Sequence, residues 1–216
     1  MPVFRLTEDL LFPPPALAEE DGLLAVGGDL SKDRILLAYS MGIFPWYSEG
    51  SPILWWSPDP RLVLIPEELK VSRSLGQVIK KEVFIVTMDT AFDRVIRSCA
   101  EINRKGQQGT WITEEMVGAY IALHCAGYAH SVESWQNGEL VGGLYGIALG
   151  KAFFGESMFS IKSNASKVAF VTLVKYLKKL NVSFIDCQVT TEHLKSLGAK
   201  EVGRIEFLKM LKKALK

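Results

Sequence analysis

An α/β (α+β) fold is predicted for this chain of 216 residues, on three observations. Helical and strand-like patterns alternate from Arg61 onward. The pair Asn137-Gly138 separates two strand-like runs and supplies the positive φ angles of a type I′ hairpin turn. A helical pattern over 165–180 then leads into Phe184-Ile185-Asp186-Cys187-Gln188, a short run bounded by polar residues as a central strand is. With 48% hydrophobic and 23% charged residues the composition is that of a globular protein. The length admits one large domain, or one full domain plus a small one.

The texture changes near residue 60. Residues 1–60 hold most of the nine prolines, three of the five tryptophans and the pair Gly27-Gly28, so tight turns and short elements are expected. One clear helix stands out there, over 32–41, with Ser31 as N-cap and Gly42 just past its end. Ile53-Leu54-Trp55-Trp56 reads as a strand closed by Ser57-Pro58-Asp59-Pro60. Residues 1–60 are therefore expected to form a small N-terminal α+β domain, too short for a large core and docked on 61–216. In that second part the expected elements run in order: strand 62–65, a helix from Ser72 to about 80, strand 83–88, helix 90–100 and a helix capped by Thr113 and ended at Gly127. Strands 130–136, 139–147 and 151–158 follow. Asn164 is placed to cap the helix 165–180, with Val168, Phe170, Leu173, Val174 and Leu177 inward and Lys167, Lys175, Lys178 and Lys179 outward. Strand 184–188, a helix over 192–197 stopped at Gly198, a strand near 201–205 and a basic helix to 216 complete the chain. Helices, three antiparallel strands, then helix–strand–helix–strand is the element order of the GNAT-like acyltransferase fold.

Several function classes are disfavoured. The formal net charge of +1 argues against a strongly basic nucleic-acid coat, although a local phosphate-binding patch depends on charge placement. No apolar run approaches the roughly 20 residues that cross a bilayer. Glu8 and Asp9 interrupt the start before a signal-peptide core could form. Cys99, Cys125 and Cys187 are odd in number and without a C-x-x-C pair, which suits reduced thiols in the cytoplasm. His124, His130 and His193 lack ligand spacing, so no metal is expected. No P-loop pattern occurs, and the glycines from 138 to 150 lie within a hairpin and match no dinucleotide motif. Between Gly155 and Gly198 there is no glycine at all. A GNAT enzyme that uses coenzyme A needs a glycine-rich turn ahead of its pyrophosphate-binding helix. Phe159-Ser160-Ile161-Lys162-Ser163-Asn164 stands there instead, so coenzyme A is not the expected donor.

Three groups of residues could carry chemistry. In period 2, Asp186 and Gln188 share one face of their strand, with Ile185 and Cys187 on the other. A carboxylate on a central strand is costly to bury unpartnered. Asp186 therefore either caps a helix or ties down a loop, or it faces a substrate and orients an ammonium beside the Gln188 amide. Gly155-Glu156-Ser157 suggests a nucleophile elbow, but Phe159 stands at the second glycine position and no strand-to-helix turn follows. A carboxylate, a hydroxyl, a methionine and phenylalanines together better suit a pocket for an apolar side chain, or ordinary core. Aromatic residues cluster in Phe44-Pro45-Trp46-Tyr47 and around Trp111. They serve either as glue between domains or as stacking platforms for the bases of a single-stranded RNA end.

Taken together, segments 21–30, 42–46, 53–61, 109–113, 139–146, 155–160, 164–167 and 185–189 resemble the leucyl/phenylalanyl-tRNA–protein transferases of bacteria. LWWSPDPR, GESMFS and IDCQV are specific in combination rather than singly. The resemblance runs from about Gly22 to Gly198. It implies transfer of leucine or phenylalanine, and sometimes methionine, from aminoacyl-tRNA to the α-amino group of proteins that begin with Arg or Lys, creating an N-degron. It also implies Asp186 and Gln188 as the catalytic pair and Glu156 as the residue that holds the aminoacyl-adenosine end. Leu144, Ser157, Met158, Phe170, Leu173 and Ile185 would line the apolar pocket, and Trp46, Trp111 and Tyr120 would frame the terminal adenine. An activated ester needs neither ATP nor coenzyme A nor a metal. A neutral carboxamide is a poor Brønsted base, so Gln188 is expected to orient the amine more than to deprotonate it. Arg73, Lys80 and Lys81 are the expected contacts to the tRNA backbone, in a basic cluster thinner than that of many relatives, with Arg104-Lys105 as an alternative. Two other function classes compete: an N-acetyltransferase using coenzyme A, disfavoured by the glycine-free turn, and a non-catalytic binding module, which leaves the Asp186/Gln188 pairing without a purpose.

Overall fold

The computed structural model describes residues 3–102 and 111–216. Arg104-Lys105 and Gly109-Thr110 therefore lie outside the described residues. Two sheets organise the rest. The first contains β1 (Phe4–Leu6), β2 (Leu23–Gly27), β3 (Phe44–Pro45) and β4 (Leu54–Trp56), in the order β1-β2-β4-β3. Only β4 was expected, because strands of two to five residues among prolines and glycines show no alternation long enough to read. α1 (Lys32–Ser40) begins at Ser31, whose side chain accepts from the Arg34 N–H. It ends ahead of Gly42 at φ +75°. A Cβ at Gly42 would sit 2.8 Å from the Phe207 ring, so glycine serves both the turn and the close approach.

The second sheet has seven strands: β5 (Arg61–Leu64), β6 (Ile85–Met88), β7 (Ala129–Gln136), β8 (Glu139–Leu149), β9 (Ala152–Ser160), β10 (Phe184–Gln188) and β11 (Lys200–Val202). Their order is β11-β5-β10-β9-β8-β7-β6. β7, β8 and β9 form an antiparallel meander whose first turn is Asn137-Gly138, both with positive φ. β10 returns beside β9 in parallel, after α5 (Ala165–Lys179). α2 (Arg73–Lys80), α3 (Phe92–Glu101), α4 (Glu114–Cys125), α6 (Glu192–Ser196) and α7 (Arg204–Ala214) complete the architecture. The mixed α/β arrangement is the one predicted, with an antiparallel meander, a helix and a strand that returns in parallel.

Two local expectations need correction. Asn164 does not cap α5 with its side chain: it lies at φ +70° and makes the turn into the helix with its backbone. The last strand is β11 at Lys200–Val202, not 201–205, because the chain turns at Gly203 and the Arg204 N–H binds Asp59 Oδ1 at 3.0 Å.

The large sheet is covered on both faces, and side chains alternate between them along the central strands except where β8, β9 and β10 each carry an extra residue. Val63, Tyr145, Phe154 and Phe184 pack against the first sheet and helices α1, α3, α4 and α7. Leu62, Leu64, Leu144, Phe153 and Ile185 pack against α2 and α5. α5 lies close over β8 because Gly142 has no side chain: a Cβ there would come 2.5 Å from that of Ala165.

Candidate functional site

The β9–β10 ladder runs from Phe184↔Ala152 to Asp186↔Phe154 and then stops. Against β5, β10 carries one extra residue between Asp186, opposite Val63, and Gln188, opposite Leu62. Gln188 takes a left-handed backbone conformation, φ +62°. The strand thus bends away at the point where the ladder ends. A cavity of about 420 Å³ opens there, on the scale of a small-molecule site.

Its wall is mostly apolar. Leu144, Ser157, Met158, Phe170, Leu173 and Ile185 all line it. Trp46 and Trp111 line it as well, their rings edge to face with centroids 6.5 Å apart. Glu156 and Gln188 supply polar groups, and Glu156 is the one carboxylate among the described lining residues. Glu156 is 8% exposed and Gln188 is 7% exposed.

Two expected residues do not reach the cavity. Asp186 is fully buried behind it. Arg61 Nε and Nη2 donate to Asp186 Oδ1 and Oδ2 at 2.9 and 2.7 Å, and the Gln188 backbone N–H donates to Oδ1 at 2.8 Å. The Arg61 guanidinium lies between the Phe44 and Phe207 rings, 4.7 and 4.6 Å from their centroids, and gives a further hydrogen bond to the Gly42 carbonyl. A carboxylate so engaged does not reach an ammonium in the cavity. What it does hold is the backbone N–H at the bulge that carries Gln188, close to the loop-tying alternative for this residue. Tyr120 is the second correction. It is fully buried, its hydroxyl lies behind Glu156, and it frames no adenine.

Glu156 is held by neutral donors. Tyr39 Oη donates to Oε1 at 2.7 Å, Tyr120 Oη to Oε2 at 2.9 Å, and Gln188 Nε2 to Oε1 at 2.8 Å. Burial raises its carboxyl to about 7, the charge of Asp186 adds to the rise, and the three donors oppose it. Burial likewise lifts the Cys187 thiol well above its ordinary range, which makes this cavity-lining cysteine a poor nucleophile. His193 lies on the wall beside Thr191, and burial and then the charge of Lys167 lower its pKa.

Arg73 and Lys80 on α2, and Lys81 just past its end, are exposed, and α2 contributes nothing to the described cavity wall. Among the described residues no group of three His, Cys, Asp or Glu side chains could hold a metal ion, and no helix is long and apolar enough to cross a membrane. Arg61, Tyr39 and His193 escaped the sequence reading. Arg61 sat in a motif without a role, and Tyr39 follows the buried pattern of α1 with Ile35 and Ala38, so it reads as core. His193 drew notice only for lacking metal-ligand spacing.

Comparison with known proteins follows the same line. The family model for the leucyl/phenylalanyl-tRNA protein transferase matches residues 63–212, and that for its N-terminal domain matches residues 28–59. The leucyl/phenylalanyl-tRNA–protein transferase of Syntrophobacter fumaroxidans is 65% identical over 98% of this chain and 90% of its own length. That of Desulfatibacillum aliphaticivorans is 59% identical over 100% of this chain and 92% of its own. Among solved structures, L-PGS from Bacillus licheniformis aligns at 11% identity and a TM-score of 0.43, over 78% of this chain and 54% of that one. The likeness is too distant to carry an argument about function. The family matches and the relatives, which span nearly the whole chain, are decisive: it belongs to the leucyl/phenylalanyl-tRNA–protein transferases.

Proposed function

We propose that this chain transfers leucine or phenylalanine, and also methionine, from the 3′ end of an aminoacyl-tRNA to the α-amino group of a protein that begins with Arg or Lys, producing an N-degron. The observation that carries the reading is the cavity itself. Leu144, Met158, Phe170, Leu173 and Ile185 share its wall with the polar groups of Glu156 and Gln188 and with the rings of Trp46 and Trp111. An aminoacyl ester has that division: an apolar side chain, a reacting carbonyl with its amine, and a nucleoside base. Met158 is unbranched and adaptable, which suits side chains of different shape. Methylene-scale differences in such a pocket are worth only about 1–3 kcal/mol, so several apolar residues are accepted.

Gln188 takes the role of orienting the attacking amine. Its Nε2 is committed to Glu156, which leaves its carbonyl oxygen to accept from an amine N–H. Asp186 acts as a positioning residue that, with Arg61, holds the bulge under Gln188. Trp46 and Trp111 stack on the terminal adenosine. Arg73, Lys80 and Lys81 contact phosphates of the acceptor stem, and the work is done in the cytosol. Residues 1–60 act as a layer that completes the site through Tyr39, Phe44 and Trp46, on the catalytic part 61–216. The ester supplies the driving force, so no further activation is called for.

The test incubates the purified chain with radiolabelled leucyl-tRNA and a protein beginning with Arg, without ATP or coenzyme A. Label appears in the protein fraction, and a matched protein beginning with Glu stays unlabelled. Absence of label with the Arg protein overturns the reading.

A further inference from the structure

We propose that Glu156 enters the transfer as a neutral carboxylic acid, closed into a hydrogen-bonded ring with Tyr39 and Tyr120, and that it protonates the ribose oxygen as the ester bond breaks. The proposal rests on the cavity being the transfer site. Three oxygen–oxygen contacts close a triangle: Tyr39 Oη to Tyr120 Oη at 2.7 Å, Tyr39 Oη to Glu156 Oε1 at 2.7 Å, and Tyr120 Oη to Glu156 Oε2 at 2.9 Å. Each contact at hydrogen-bond distance needs one proton between its oxygens. The two phenols supply two, and both keep them, because burial and the neighbouring carboxyl raise their pKa values well above the ordinary 10. The third proton belongs to Glu156.

The ring is then directional. With the third proton on Glu156, the contact that Tyr120 donates to the carboxylate reverses: Oε2–H donates to Tyr120, Tyr120 donates to Tyr39, and Tyr39 donates to Oε1, which also accepts from Gln188 Nε2. The charges around it favour this state. Asp186 faces it from β10, and Arg61 on β5 is committed to Asp186. Tyr39, Tyr120 and Tyr145 face it from α1, α4 and β8; Cys187 and half-buried His193 share the cavity wall, and no described cation pairs with Glu156.

The step balances. The nitrogen lone pair of the amine forms the bond to the acyl carbon, and the electrons of the carbon–oxygen ester bond pass to the ribose oxygen. That oxygen takes the Glu156 proton. The resulting carboxylate is held by the donors from Tyr39, Tyr120 and Gln188, and the surplus proton on the nitrogen returns to it. The ring ends with the three protons it began with.

Two measurements on the intact protein test this. Infrared spectra of the wild-type chain against pH, with Glu156→Gln as the blank, should show a protonated carboxyl that titrates near 7. The titration should move to higher pH in Tyr39→Phe, which removes a donor that favours the carboxylate. A carboxyl that ionises in the ordinary acidic range overturns the ring. In single-turnover transfer from leucyl-tRNA, E156Q should fall by about 100-fold or more, the scale of a lost general acid. The rate of the wild type should decline above the Glu156 pKa, and Y39F should carry that decline to higher pH; a limb that stays in place overturns proton donation. The two readings fail separately. A chain that transfers leucine without the infrared band refutes the ring alone. A chain that shows the band but transfers nothing refutes the transfer site, and proton donation with it.

Discussion

Asp186 and Glu156 are both buried carboxylates on neighbouring strands, and they are treated in opposite ways. Asp186 has a cation of its own: Arg61 meets both its oxygens, and two phenylalanine rings enclose the pair. Glu156 has only neutral donors and the charge of Asp186 nearby. A paired charge stays a charge and holds its neighbours still, while an unpaired one exchanges its proton close to neutrality. The first arrangement builds a site; the second can take part in its chemistry.

Breaking the first arrangement should have the largest effect. Arg61→Met keeps the bulk between Phe44 and Phe207 but leaves the Asp186 carboxylate buried without its cation, which costs about 3–5 kcal/mol. Urea denaturation measures it, and a loss under about 1 kcal/mol would show that Asp186 does not depend on the pair.

Next comes a dependence of stability on pH. The Glu156 carboxyl rises from 4.5 to about 7 in the folded chain. Below 4.5 it is protonated in the folded and the unfolded chain alike, and its contribution to stability is complete. As pH rises through 7 the unfolded chain has shed a proton that the folded chain retained, so this contribution is lost, on the order of 3 kcal/mol. E156Q should flatten that part of the curve relative to wild type. Parallel curves for the two proteins would mean that folding leaves the Glu156 pKa where it is in the unfolded chain.

Gln188→Ala sharpens the comparison from the side of function. It should lower transfer by about 100-fold, the cost of losing an orienting contact, and shift the thermal melt by only a few degrees. A collapse of stability instead would make Gln188 part of the scaffold with Asp186. The smallest effect belongs to α2. Reversing Lys80 and Lys81 should leave the melt unchanged and lower the salt slope of tRNA binding by about 2. An unchanged slope moves the phosphate contacts to another face.

Much of the secondary structure was legible because its signals are local. The N-caps Ser31, Ser72 and Thr113 each accept a backbone N–H three residues on, and Asn137-Gly138 makes its turn within two residues. The alternation of Phe184, Ile185 and Asp186 already told which face each takes. The pocket residues were legible through family resemblance, since apolar side chains in a strand do not distinguish a ligand wall from a core. The first sheet was not, because its strands are too short to show a period.

The sequence by itself determined where the helices and the hairpin lie, which residues are apolar, and that Glu156 falls on one strand and Asp186 and Gln188 on another. Only the tertiary structure decided what each of them does. Arg61 meets Asp186 across 125 positions, and Tyr39 meets Glu156 across 117. Whether a carboxylate finds a guanidinium or a phenol depends on how sheets and helices close on one another, and that sets its charge. Neither the spacing nor the type of the residues carries that information.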